Sequence, residues 1–352
     1  MLIFLAACQK DKPEAIIQNP AEIRMEFAKL LDDYYDGSMA LDPLSATSAG
    51  DARFNAEFPN FLSKAFKDSS IAFYKRFKAK AEQVENKYLS ATDSVSRAVL
   101  LWDCNINLQH LNFRGELFPI DQMWSLHLSI GQLASGSGAQ PFKTVADYNN
   151  WLKRVDGYLG WLSSAENNVQ SGIKLGYVLP KSLIKREIPQ TAAMAESNVG
   201  NHLFYQPISN LPREFSEKDK AELTAAYSSM VKDKVIPAYE KLHDFMSTTY
   251  LDSGRQSSGI SAIPNGKKYY NHQIKTYTTT SMTANEIHDL GLKEVTRILS
   301  EMENSNQCFS DVLRKAQKLG YVEPGNPKLD LNGFDAFAKV KILSALAFHS
   351  KI

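Results

Sequence analysis

The chain reads as a mainly α-helical protein with a few short extended segments. Three observations carry that reading. Apolar residues recur at three- and four-residue steps through most of the 352 residues. Clusters of proline, glycine, asparagine and serine separate those periodic runs. Alternating apolar–polar stretches of the strand type are scarce. Apolar residues make up 43% and charged residues 22%, an ordinary globular balance able to bury a sizeable core. The formal net charge is +1, so composition gives no electrostatic case for nucleic acid as a partner. No apolar run is long enough to cross a bilayer as a helix.

The first residues end in Leu5-Ala6-Ala7-Cys8, which resembles a bacterial lipobox. In such signals small residues precede a cysteine that becomes the new N-terminus and carries lipid, so Cys8 is the candidate lipidation site. The apolar run before it is short and lacks a basic flank. Either the gene starts further upstream, or Cys8 is a coincidence within a short buried N-terminus. The charged, proline-containing stretch that follows suits a tether, so residues 1–20 read as the remnant of a lipoprotein signal and its tether.

The helical body begins near Pro20, where Ile23, Phe27, Leu30, Leu31 and Tyr34 share one face. Gly37 and Pro43 are read as breaks, and residues 43–60 as a polar connection holding Gly50, Asp51, Arg53, Phe54 and Pro59. Two helices follow, over about 63–86 and 92–113. Phe66, Phe73, Phe77 and Ala81 mark the first; Val95, Val99, Trp102, Ile106 and His110 lie near one stripe of the second. Residues 115–138 are looser. Phe118 precedes Pro119 and is therefore read as extended. Ser135-Gly136-Ser137-Gly138 is a loop, and no Gly-Lys-Ser/Thr follows to make it a phosphate-binding P-loop.

Thr144 to Asp147 caps a helix carrying Tyr148, Trp151, Leu152, Val155, Leu159 and Leu162. Gly172 and Gly176 read as a helix end and turn. Pro207 and Pro212 break the chain again; Ser216 caps the next helix, and Pro237 kinks or restarts it. Residues 251–263 form a Ser/Gly-rich loop. It leads into the stretch that organises the whole chain: the turn Pro264-Asn265-Gly266, the pair Tyr269-Tyr270 read as a second extended piece, the run Thr278-Thr279-Thr280, and a helix. Thr283 and Glu286 have capping-box spacing. Behind them Ile287, Leu290, Gly291, Val295, Ile298 and Met302 make one apolar or small stripe.

That turn, tyrosine pair, threonine run and the helix sequence from Glu286 to Val295 resemble the bacterial domain-of-unknown-function 885 family. Pro43-Leu44 ahead of Gly50-Asp51-Ala52-Arg53-Phe54, the order Pro141-Phe142 then Tyr148-Trp151-Leu152, and the run Gly172 to Pro180 are similar to it as well. The resemblance covers residues 32–302 and fades after Asn304. It implies a helical, exported protein on a scaffold like that of gluzincin-type zinc metallopeptidases. It also implies an H-E-x-x-H helix with a later glutamate, lying downstream of the stretch present here. Zinc is therefore expected only in a full-length relative, and no cofactor in this chain. The resemblance implies that the region around Tyr269 and Tyr270 borders a cleft in which these tyrosines could hold a peptide backbone; the residues themselves favour core packing and β-bridging.

The residues themselves offer no catalytic or metal constellation. Seven histidines are present: His110, His127, His202, His243, His272, His288 and His349. None belongs to an H-E-x-x-H pair. His243-Asp244 and His288-Asp289 are neighbours that point about 100° apart on a helix, unsuited to sharing a metal. His288 and His202 read as polar structural contacts. No G-x-S-x-G elbow occurs. Cys104, among Leu100, Leu101 and Leu108, reads as buried and inert; a bond to Cys308 is permitted outside the cytoplasm but has no sequence support.

Two functions follow. The first is the N-terminal fragment of an exported, lipid-anchored zinc metallopeptidase-like protein, itself lacking the zinc site and inactive. The second is a non-catalytic periplasmic or surface lipoprotein that binds peptides or partners through a helical groove. On the first reading residues 21–304 are the helical domain, and 305–352 are a divergent tail left by a frameshift or truncation, with the C-terminal part of the scaffold missing.

Overall fold

The computed structural model describes residues 19–123, 125–195, 198–304 and 309–318. The described residues are mainly helical. The helices are α1 (Pro20–Leu41), α2 (Pro43–Ser48), α3 (Lys64–Gln83), α4 (Ala91–His110), α5 (Leu126–Ala134), α6 (Val145–Leu175) and α7 (Lys181–Met194). There follow α8 (Gln206–Ser209), α9 (Glu217–Ser229), α10 (Ile236–Phe245), α11 (Leu251–Ser253), α12 (Gly266–Thr278), α13 (Ala284–Asn304) and α14 (Phe309–Lys318). Among the described residues β structure amounts to one isolated parallel bridge, Pro180 with Arg255. Cys8, Cys308 and His349 lie outside the described residues.

The chain divides into two compact units, one of residues up to Leu41 with Ser69–Leu108, the other of Asp42–Asp68 with the chain from Gln109. The first unit packs Phe27 and Leu30 of α1 against Phe73, Phe77 and Ala81 of α3 and Leu100 and Cys104 of α4. Tyr34 stacks on Phe73 at 5.3 Å and meets Phe77 edge-on at 5.1 Å, while its hydroxyl donates to Asp103. Gly37 does not end α1 as its type suggests. It gives the Phe73 ring room: a Cβ there would lie 2.5 Å from Phe73 Cε2. The buried face of α4 also differs from the expected stripe. Val95 and Val99 are 64% and 60% exposed, and the face rotates to Leu100 and Cys104, where α1 and α3 supply partners. Cys104 is a free, fully buried thiol, and burial pushes it up to about 11, so it is inert as expected.

The second unit is built on the 31-residue α6. Its start is a full capping box: the Thr144 hydroxyl accepts from the Asp147 N–H, and the Asp147 carboxylate accepts from the Thr144 N–H. Its end is the glycine turn read from the sequence. Gly176 takes φ +77°, and the Tyr177 N–H reaches back to the Gly172 carbonyl at 2.8 Å. Between these ends Tyr148, Trp151, Val155, Tyr158, Trp161, Leu162, Ala165 and Val169 are buried against α5, α7, α9 and α10. Gly157 permits a close approach, since a Cβ would lie 2.7 Å from the Phe58 carbonyl oxygen.

Arg154 is fully buried on the same face of α6. Its guanidinium donates to the carbonyls of Glu57 (3.1 Å), Pro43 (3.3 Å) and Phe54 (2.5 Å) and to Gln140 Oε1 (2.6 Å). Residues 43–60 are thus no plain connection. They hold α2, capped by Asp42 with Pro43 in its first turn, and a 3-10 turn at Ala52–Phe54, and Arg154 pins both to α6. Residues 126–134, read as loose, form α5. Pro237 restarts the helix: a π-helical stretch, Met230–Val235, widens the turn before α10, where proline has no N–H to donate.

Candidate functional site

Tyr269 and Tyr270 are not extended. They lie on α12, which starts from the Pro264-Asn265-Gly266 turn with Asn265 at φ +58°. Helix wins over strand because Gly266 lets the chain start tightly against Ile260 and no strand lies nearby among the described residues. Neighbours on a helix face different ways, so Tyr269 is half-buried and Tyr270 exposed. The threonine run ends the helix: Thr278 Oγ1 donates to the Ile274 carbonyl, and Thr279 takes φ +55°.

Beside α12 lie the end of α4 and the turn Gly115–Leu117, and together they shape a groove within the second unit. Phe113 stands at its centre and lines three adjoining depressions. The largest, about 620 Å³, runs between Phe61–Asp68 and His110–Leu117, with Asn168 and Ser171 also lining it. The second, about 300 Å³, is walled by Phe118, Tyr177, Ile263 and Tyr269. The third, about 360 Å³, is lined by Lys268, Asn271, His272 and Lys275 of α12 opposite Gln109 and Asn112. These volumes are of the size small ligands and peptide side chains occupy.

Aromatic packing fixes this groove. Phe113 meets Tyr269 at 5.2 Å and His272 at 5.1 Å, and Phe118 lies parallel to Tyr177 at 6.2 Å. His110 and His272 face each other with ring centroids 5.6 Å apart. Burial and then Lys67 hold His110 below the usual imidazole range; burial, His110 and Lys275 do the same for His272. Burial raises Tyr269 above the usual phenol range. Both imidazoles are therefore neutral near neutral pH and pack as rings against each other and the neighbouring aromatics.

A second polar cluster is buried between α5 and α7. His127 shares a 2.7 Å hydrogen bond with Ser125 through Nδ1, while its Nε2 has no partner. Both oxygens of the fully buried Glu187 and the Oε1 of Gln190 are also without partners. Burial, with help from Asp121, pushes Glu187 up to about 9, and burial holds His127 down to about 4. Both groups are uncharged near neutral pH, a setting suited to buried ordered water.

The remaining described histidines have structural roles. His202 Nε2 lies 2.9 Å from the Met194 carbonyl, and its Nδ1 accepts from the Phe204 N–H. His243 Nδ1 lies 3.3 Å from both Thr191 Oγ1 and the Ile188 carbonyl. His288 is exposed on α13. Zinc needs three or four converging nitrogen, oxygen or sulfur ligands. Among the described residues no three His, Cys, Asp or Glu side chains come together in that way, and the His110–His272 pair has no carboxylate beside it. The described residues do not fit zinc.

α13 begins with the expected capping box: the Thr283 N–H donates to Glu286 Oε2 at 2.7 Å and the Glu286 N–H to Thr283 Oγ1 at 3.3 Å. Its apolar stripe is not covered among the described residues. Leu290, Val295 and Ile298 are 46%, 56% and 46% exposed. Met302 lies where side chains are not described.

Sequence reasoning reached Tyr269 but missed Phe113, Phe118 and the α12 lysines. A signal for the last was available, because Lys268, Asn271, His272 and Lys275 follow helical i, i+3, i+4, i+7 spacing.

The fold is similar to that of a crystal structure described as a "putative lipoprotein" from Colwellia psychrerythraea, with TM-score 0.67 and 15% identity. The match covers 93% of this chain and 60% of that one. A short stretch is similar to homoserine dehydrogenases. It is 53% identical over 51 residues to that of Neisseria gonorrhoeae, covering 14% of this chain and 12% of that protein. The Mycobacterium tuberculosis enzyme is 40% identical over 55 residues, covering 16% of this chain and again 12% of the relative. The chain thus spans about an eighth of the length of the curated relatives it matches. The profile described as "Bacterial protein of unknown function (DUF885)" matches residues 43–320, most of the chain, and the protein belongs to that family.

Proposed function

We propose that the chain is a peptide-binding helical module of a lipid-anchored bacterial envelope protein, without peptidase activity of its own. The observation that carries this reading is the groove around Phe113, where an aromatic floor adjoins open side pockets of peptide side-chain size. Resemblance to zinc metallopeptidases supplies the ligand class, a peptide, and puts the zinc ligands in a longer relative. The Leu5-Ala6-Ala7-Cys8 motif and the description of the Colwellia protein support lipid at Cys8. Calorimetric titration of the full chain with short aromatic peptides tests the groove. Binding that is lost in Phe113→Ala, with the fold retained by circular dichroism, is expected; no binding at millimolar peptide overturns it. Stoichiometric zinc with chelator-sensitive peptide hydrolysis overturns the absence of activity. Mass spectrometry of a membrane fraction checks lipid at Cys8.

The module is also read as the first part of a longer scaffold, joined near Ser305 to a segment of different origin. The uncovered stripe of α13 and the 60% coverage of the Colwellia chain support the first point. A short match to an enzyme of another family supports the second, while the family match itself runs past Ser305 to residue 320. Sequencing the gene across the codons for Asn304 to Phe309 from genomic DNA tests it. A continuous H-E-x-x-H-containing frame after Asn304 is the expected result, and an unchanged frame ending at Ile352 overturns it.

A further inference from the structure

The depression lined by α12 differs from the other two in its chemistry. Its lining is Gln109, Asn112, Phe113, Lys268, Asn271, His272 and Lys275, with no acidic side chain. The largest depression, by contrast, contains Asp68 and Glu116, which neutralise Lys64 and Arg114 in ion pairs at 2.5 and 2.6 Å. No ion pair engages Lys268 or Lys275 among the described residues. Helical spacing sets Lys268, Asn271, His272 and Lys275 on one face of α12, so two ammonium groups, an amide and an imidazole share one small space. His272 is 7% exposed, and its Nε2 is buried with no hydrogen-bond partner. Lys268 lies in the first turn of α12 and Lys275 in its last, so the helix dipole favours negative charge at the Lys268 end alone.

We propose that this cleft is an oxyanion subsite that takes the terminal carboxylate of a bound peptide. The proposal rests on the reading of the groove as peptide-binding, and it names which end of the peptide the groove holds. Lys268 and Phe113 line both this cleft and the recess walled by Phe118, Tyr177 and Ile263. A carboxylate held by Lys268 and Lys275 therefore places the last side chain of the peptide beside an aromatic recess. A free phosphate would use the same cations but would leave that recess empty, which is why the peptide terminus is the favoured occupant.

The test compares acetyl-Ala-Ala-Phe as the free acid and as its C-terminal amide, titrated calorimetrically against the full chain at fixed ionic strength. The free acid is expected to bind about tenfold tighter, the effect of one hydrogen-bonded charge. In the K268Q/K275Q double variant that preference disappears, and both peptides bind as the amide binds the unaltered chain. Equal binding of acid and amide to the unaltered chain overturns the subsite and leaves the groove standing. Binding of neither peptide overturns the groove and the subsite together. A preference that survives in the double variant places the carboxylate elsewhere and overturns the assignment. Inorganic phosphate that binds while the acid has no advantage over the amide assigns the cleft to phosphate, which also overturns it.

Discussion

α6 and α13 belong to the same unit and start from the same kind of capping box, yet they end up in opposite environments. Along α6 the stripe from Tyr148 to Val169 is buried, and even the charged Arg154 is drawn inside. Along α13 every side chain from His288 to Ser300 is exposed. Both patterns are amphipathic. What differs is the surroundings: α6 meets α5, α7, α9 and α10, whereas α13 presents its stripe to no described partner of comparable size. A helical stripe states what a helix can bury; neighbouring elements decide whether it does.

The largest expected effect lies at Arg154. Arg154→Met keeps the length of the side chain but leaves four acceptors without their donor, those of Pro43 and Gln140 buried and those of Glu57 and Phe54 part-buried. A loss of about 2–4 kcal/mol in urea unfolding is expected, from leaving buried carbonyl and amide oxygens unsatisfied. A loss below about 1 kcal/mol would mean that the tie between α6 and the 43–60 segment is dispensable.

Glu187 gives the next effect, with a sign that depends on pH. Its carboxyl is raised in the folded state to about 9, so its contribution is complete at pH below the unfolded value of 4.5. It is lost as pH rises toward 9, because the unfolded chain releases the proton and the folded one keeps it. Glu187→Gln should therefore be more stable than the parent at pH 8, by roughly 1–3 kcal/mol, and close to it at pH 4.5. His127 acts in the opposite direction: held at about 4, it withdraws stability as pH falls from 6.5 toward 4. Thermal melts across pH 4–9 check both slopes, and a Glu187→Gln variant parallel to the parent throughout would contradict the first.

The matched caps sharpen the comparison. Thr144→Ala and Thr283→Ala each remove one capping box. About 1 kcal/mol of global stability should be lost at Thr144, where the helix end is coupled to the core. At Thr283 the loss should appear as local fraying of α13 by hydrogen exchange, with little change in the melting temperature.

The smallest effect is expected on α13 itself. Val295→Lys should change stability by less than about 0.5 kcal/mol, since the side chain already faces water. A loss of about 2 kcal/mol or more would show that something covers the stripe in solution.

Much of the helical framework is legible in the sequence. Periodicity and caps found α1, α3, α4, α6 and α13, and the glycine turn at Gly176 was readable from its spacing. What escaped depends on tertiary partners. Val95 and Val99 fit a helical stripe, but the neighbours of α4 select a different face. Gly37 looks like a break until the Phe73 ring above it is known. Arg154 sits at i+3 from Trp151 on an apolar stripe, a visible anomaly, but its acceptors come from carbonyls about a hundred residues away. The groove was legible only through Tyr269. Phe113 reaches it from beyond the end of α4, and no local pattern joins those two segments.

Cys104 gives the first unit a built-in clock. Its thiol has no exposed surface and stays protonated well above neutral pH, so an alkylating reagent reaches it only when α1, α3 and α4 part. The rate at which the Cys104 peptide gains mass therefore counts openings of that three-helix core alone. Read beside a whole-molecule melt, it reports whether the two compact units come apart together or one before the other.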